Sequence, residues 1–151
     1  MQNLGALGIF VALVALVAVF GAQFEPGSWY DGLRKPPLNP PNWVFGPVWS
    51  ALYLSIAVAG WLVWRARPES AKPLVLWGSQ LVLNAAWSLL FFGLHLPSLA
   101  LVEIVLLLAL LLATTVSFFG VRPLAGVLFL PYAAWVSFAA YLNAGLWYLN
   151  R

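Results

Sequence analysis

The chain is 151 residues long, 64% hydrophobic and only 7% charged, with a formal net charge of +3 and no cysteine. Soluble domains carry roughly 25% charged residues, so this chain lacks the polar side chains to cover a water-facing surface, and lipid is its expected solvent. The composition excludes disulfides, thiolate nucleophiles and Cys-ligated metals, and the seven Lys/Arg form no basic cluster that could track a nucleic-acid backbone.

Five apolar runs follow one another, at 4–24, 43–64, 74–94, 99–119 and 124–149. Each has roughly 20 residues or more, the length a helix needs to cross about 30 Å of hydrocarbon. Runs such as LALVEIVLLLALLLA lack the alternation of a barrel strand. The expected fold is therefore an all-α integral membrane bundle of five spans in a single domain, 1–151. The first run is expected to be a retained helix rather than a cleaved signal, because its leading MQNLGALG has no Lys or Arg. Gly5 and Gly8 are three apart and do not make a GxxxG pairing motif.

The connection at 25–42 is the one long loop. It leads into the stretch WYDGLRKPPLNPPNWVFGPVWSALY at 29–53. Pro36, Pro37, Pro40 and Pro41 predict a stiff, extended segment with little entropy left to lose on binding. Asp31 is a candidate ion-pair partner for Arg34 or Lys35. The segment reads either as a rigid lid over a ligand pocket or as a stiff tether; its surplus of aromatics favours the lid. The other connections are short, so sequential spans are expected to be antiparallel neighbours. Pro73, Pro97 and Pro123 mark run boundaries, and Pro47 and Pro131 fall within helices.

On the second run Trp49 and Tyr53 lie one turn apart. On the third, Gln80, Asn84, Trp87, Ser88 and Phe91 share one helical face. Polar groups in lipid need partners, so this stripe is expected to face inward, either as interhelical hydrogen bonds or as pocket lining. His95 stands alone at a helix end, where a solvated residue is expected rather than a haem ligand. Glu103, on the fourth run, is the one carboxylate inside a predicted span. On the fifth, Tyr132, Trp135, Ala139 and Asn143 share a face, and Trp135 lies too deep for an interfacial belt, so its indole N–H needs a partner. Trp43, Trp61, Trp64, Trp77, Trp147 and Tyr148, near span ends, are expected to be interfacial anchors. Arg65, Arg67, Lys72 and Arg122 fall on the N-terminal side against Arg34, Lys35 and Arg151 on the other, a weak bias toward a cytoplasmic N-terminus.

Together these residues resemble the TspO/MBR family, the bacterial tryptophan-rich sensory proteins and the mitochondrial translocator protein. The resemblance spans nearly the whole chain. It is carried by the 29–53 stretch, SQLVLNAAWSLLFFG at 79–93, ALVEIVLL at 100–107 and LPYAAWVSFAAYLN at 130–143. It implies a five-helix bundle, often dimeric, with no required cofactor and a pocket near the long loop. Members bind porphyrins such as protoporphyrin IX and benzodiazepine-type or isoquinoline drugs, and animal members bind cholesterol. By motif position the resemblance places Trp49 and Trp135 as pocket tryptophans and Tyr30, Pro41, Asn84, Trp87, Glu103 and Ala139 at other lining positions. Two positions depart from the family pattern. Leu38 stands where the loop usually has tryptophan, which predicts a missing aromatic wall, and Ala144 stands where the animal sterol segment has tyrosine.

Three functions fit. The first is a membrane receptor or carrier for flat hydrophobic ligands, with Tyr53, Gln80, Phe91, Tyr132 and Asn143 joining the lining and Arg34 or Lys35 meeting ligand carboxylates at the rim. The second is light-dependent porphyrin degradation at Trp49 and Trp135; the resemblance extends to bacterial members that promote it, and no acid/base constellation supports dark turnover. The third is a structural or regulatory membrane protein whose aromatics only pack.

Overall fold

The computed structural model describes residues 3–24 and 26–151. Its helices are α1 (Leu4–Ala22), a single turn α2 (Ser28–Asp31), α3 (Phe45–Arg65), α4 (Lys72–Ser88), α5 (Pro97–Val121) and α6 (Pro123–Asn150). A 3-10 turn, Asn42–Val44, leads into α3, and a wide π turn, Leu89–Gly93, extends α4. All but α2 are long and apolar enough to cross a bilayer, so the chain is an all-helical, five-span integral membrane protein. Pro73, Pro97 and Pro123 occupy first-turn positions of α4, α5 and α6, where a missing N–H costs nothing. Pro131 lies inside α6. It leaves the Val127 carbonyl without its helical donor; one residue on, Ser55 Oγ of α3 donates to the Leu128 carbonyl at 2.6 Å and ties the two helices together.

The spans close into a ring in which α1 packs on α3 and α4, α3 on α6, and α5 on both α6 and α4. This corrects the expectation that every short connection joins close neighbours. Only six residues link α3 to α4, yet these helices touch little. They meet at the end near residues 60–77, where the ring is sealed. Trp77 packs across Gly60 and donates its indole N–H to the Ile56 carbonyl at 2.9 Å. Trp61 donates to the Asn3 carbonyl at 3.1 Å under the stacked Arg65 guanidinium. Trp61 and Trp77 are thus core residues at 8% and 4% exposure rather than interfacial anchors, whereas Trp43 and Tyr148 are exposed as expected.

At the other end the long loop folds across the ring. It is less extended than its prolines predict. α2 occupies its first half, and the Asn39 N–H bonds back to the Pro36 carbonyl around a turn that holds Leu38 at φ 69°. The Lys35 ammonium donates to the Tyr30, Asp31 and Leu33 carbonyls and lies 4.8 Å from the Tyr30 ring. It thereby caps α2, reaching the backbone of Asp31 where a carboxylate ion pair was expected. Burial pushes the Tyr30 phenol up, opposed by its hydrogen bond to Asn39 and reinforced by the Asp31 charge.

The loop is fastened at both sides. The Arg34 N–H donates to Asn150 Oδ1 at 2.8 Å, and Asn150 Nδ2 returns a bond to the Arg34 carbonyl at 2.9 Å. Tyr141 OH donates to the Pro37 carbonyl at 2.7 Å, and Pro36 sits so close to Gly145 that a side chain there would meet its ring at 2.6 Å. Opposite, Trp29 stacks on His95 with centroids 4.2 Å apart and planes 8° from parallel. Removing the Asn150 clamp by Asn150→Ala is expected to speed tryptic cleavage after Arg34 several-fold while leaving the melting temperature of the bundle unchanged, since only local opening of the loop is affected. Equal digestion rates would show that the remaining fastenings suffice.

Candidate functional site

Between the sealed end and the loop lies a cavity of about 450 Å³, within the usual range for small-molecule sites. All the spans contribute to its wall, as do Pro26 and Tyr30 of the loop. Of the residues singled out by sequence, Tyr30, Trp49, Tyr53, Asn84, Trp87, Phe91, Trp135, Ala139 and Asn143 line it. Trp87 and Phe91 stack at 5.1 Å. Trp49 leans on Tyr53 at 5.4 Å and meets Tyr132 edge-on at 6.3 Å. Trp135 is met edge-on by Phe45 at 6.0 Å. The wall is thus aromatic on three sides, with ring faces and edges arranged as aromatic pairs prefer.

A polar chain ties the lining to the layer beneath it. Tyr53 OH donates to Asn84 Oδ1 at 3.3 Å, Asn84 Nδ2 to Tyr132 OH at 2.7 Å, and Tyr132 OH to Gln80 Oε1 at 2.8 Å. This splits the third-run stripe in two. Gln80, fully buried with Tyr132, belongs to the packing layer and joins α4 to α6, while Asn84, Trp87, Ser88 and Phe91 line the cavity. Asn143 does both: its Oδ1 accepts from Trp87 Nε1 and its Nδ2 donates to the Pro97 carbonyl, each at 2.9 Å. Because Tyr132 OH is both donor and acceptor at the centre, Tyr132→Phe strands Asn84 Nδ2 and Gln80 Oε1 in a dry interior. A loss of about 1–2 kcal/mol is expected, read as a lower midpoint in thermal unfolding in detergent; an unchanged midpoint would mean that the two amides re-pair.

Four expected lining residues lie elsewhere. Gln80 and Tyr132 form the layer just described. Pro41 precedes the 3-10 turn and is exposed. Glu103 is buried on α5, outside the lining, with both carboxyl oxygens unpartnered among the described residues. Arg34 and Lys35 also lie outside the lining. The departure at Leu38 has less consequence than its motif position implies: the side chain is 81% exposed at the tip of its turn and forms no part of the cavity wall. Lining residues that sequence reasoning missed come mostly from α1, namely Ala18, Gly21 and Ala22; a helix apolar on every face gives no sign of which side is inward. No group of three or more His, Cys, Asp or Glu gathers anywhere among the described residues to hold a metal ion.

One lining residue carries an unmet hydrogen-bonding demand. Trp135 Nε1 is buried and has no acceptor among the described residues. The nitrogen is shielded from the cavity as well as from the exterior, so it is an orphan of the packing rather than a group presented to a ligand.

Comparisons with known proteins agree with this architecture. The TspO/MBR family model matches residues 9–149. The chain is 36% identical to the protein CrtK of Rhodobacter capsulatus over 99% of this chain and 95% of that one. It is 39% identical to the human translocator protein, covering 94% and 88% of the two chains. Identity to the tryptophan-rich protein TspO of Chlorobaculum tepidum is also 39%, over 95% of each. A match over nearly the whole length, on a five-span bundle whose long loop folds over an aromatic cavity, places this chain in the TspO/MBR family.

Proposed function

We propose that the protein is a membrane receptor or carrier that binds a flat, largely hydrophobic ligand of the tetrapyrrole class in the aromatic cavity. The observation that carries this reading is the gathering of aromatic ring pairs from α3, α4 and α6 around one cavity. A planar conjugated ligand gains apolar burial and offset stacking against Trp49, Trp87 and Trp135. The Asn84 amide, already held by Tyr53 and Tyr132, is a fixed polar landmark beside it. The Lys35 ammonium, engaged with three carbonyls, is a poor anchor for ligand carboxylates, so recognition rests on the aromatic wall.

Titrating protoporphyrin IX into the purified protein, followed by tryptophan quenching and by the shift of the Soret band, tests the proposal. Saturable binding with one ligand per chain is expected; no binding would favour a purely structural role for the aromatics. Illuminating the complex separates binding from porphyrin breakdown. Soret bleaching no faster than that of free porphyrin is expected for a receptor, while protein-dependent bleaching that Trp135→Phe abolishes would establish the photochemical reading instead.

A further inference from the structure

The cavity is not sealed on every side. Gly46 and Ser50 of α3 and Ala22 of α1 line it and are exposed, as most of the lining is not. A residue that does both marks a place where cavity and exterior are continuous. The gap has a structural cause. Near its C-terminal end α1 packs on α4: Gly21 lies against Ser88, and Phe24, just beyond the helix, packs on Gly93 of the π turn. On α3 the exposed lining positions, Gly46 and Ser50, are small, and a side chain built at Gly46 would meet nothing within 4 Å. Ser50 lies five residues into α3, about 8 Å below its start at 1.5 Å per residue, a depth that belongs to the bilayer. Its hydroxyl is satisfied on its own helix by the Gly46 carbonyl at 2.9 Å, so it can border hydrocarbon without an unmet donor. The route from water, by contrast, is obstructed by the loop fastened at Asn150, Tyr141 and His95.

We infer that the cavity opens sideways into the bilayer through a slot between α1 and α3, and that it takes its ligand from the lipid phase rather than past the loop, a route that presupposes the ligand binding proposed above. The slot is bordered by Ala18, Ala22, Gly46 and Ser50. Side chains this small leave an opening that admits a planar ring edge-on, and a ligand that partitions into membrane arrives already concentrated and oriented.

The absence of native cysteine permits a test that needs no natural ligand. Ala139→Cys places a single thiol in the cavity wall, and the protein in lipid vesicles is exposed either to a bilayer-partitioning pyrene maleimide or to a charged, membrane-impermeant thiol reagent. Fast labelling by the pyrene probe and slow labelling by the charged one are expected. Adding Gly46→Phe with Ser50→Phe should slow pyrene labelling at least tenfold, and Ala22→Phe, from the opposite border, should do so independently if the α3 pair folds poorly. Equal pyrene rates with the slot filled, no pyrene labelling at all, or faster entry of the charged reagent would each overturn the inference. A failed protoporphyrin titration with slot-dependent pyrene labelling would instead refute the ligand class and leave the portal standing.

Discussion

Replacing Trp49 and Trp135 together by alanine is expected to weaken protoporphyrin IX binding by at least about 100-fold. Each indole offers a ring face of about 100 Å² to a flat ligand, and burial at about 25 cal/mol per Å² makes each contact worth about 2.5 kcal/mol. The two rings come from different helices, α3 and α6, and are not paired with each other; their aromatic partners are Tyr53 and Tyr132 in one case and Phe45 and Phe138 in the other. Their effects should therefore add to a first approximation. The seven tryptophans that remain still report quenching, and the Soret shift gives an independent signal. Trp43→Ala is the matched control, because that indole is 75% exposed outside the cavity. Undiminished affinity in the double variant would sink the aromatic-wall proposal, and an equal loss from Trp43→Ala would reduce it to non-specific stacking.

The sequence makes the five spans legible because a bilayer demands long, uninterrupted apolar helices, and helix-starting prolines and short polar joints delimit them to within a few residues. It also brings out most of the cavity wall, since a polar stripe or a deep tryptophan in lipid has few places to face. What it does not reveal is the order of helices around the ring. α1 is apolar on all sides, so nothing in its pattern says that it joins α3 to α4, and its lining residues Ala18, Gly21 and Ala22 are invisible for the same reason. Trp61 and Trp77 mislead because a tryptophan near a span end satisfies the rule for an interfacial anchor as well as the rule for a core residue. The difference lies in what faces it, and for Trp77 that is Gly60, a residue one helix away. Glu103 fits a lining motif by position and lies one turn from Leu107, which does reach the cavity with Ile104, yet its own side chain is buried outside the wall. The loop misleads in the opposite way. Its prolines at 36, 37, 40 and 41 suggest one extended strip, yet α2 and the turn at 36–39 fold it into a compact cover, held by side chains more than a hundred residues away in sequence.

The sealed end of the ring makes the second large effect a matter of one methyl group. Gly60→Ala is expected to destabilise the bundle by about 2–4 kcal/mol, and Gly78→Ala to leave it unchanged or slightly more stable. An alanine Cβ at position 60 would lie 2.6 Å from Trp77 Cε2 and Nε1 and 3.0 Å from Phe10 Cδ1, well inside contact distance. The indole has little freedom to retreat. Its N–H is bonded to the Ile56 carbonyl one turn back along α3, and the edge of Phe10 packs against it at 5.0 Å. Moving the ring costs the overpacking penalty of about 1–3 kcal/mol together with a buried N–H left unpaired at about 1–3 kcal/mol. At Gly78 the same substitution meets nothing within 4 Å, and alanine is favoured over glycine in a helix by up to about 1 kcal/mol. Thermal unfolding of both variants in one detergent makes the comparison direct. A fall on the order of 10 °C for Gly60→Ala against no fall for Gly78→Ala is the expected pair. Equal midpoints would show that α1, α3 and α4 can part at this end without loss, in which case the cavity would have no fixed floor and the Trp77 contact would be incidental to the fold.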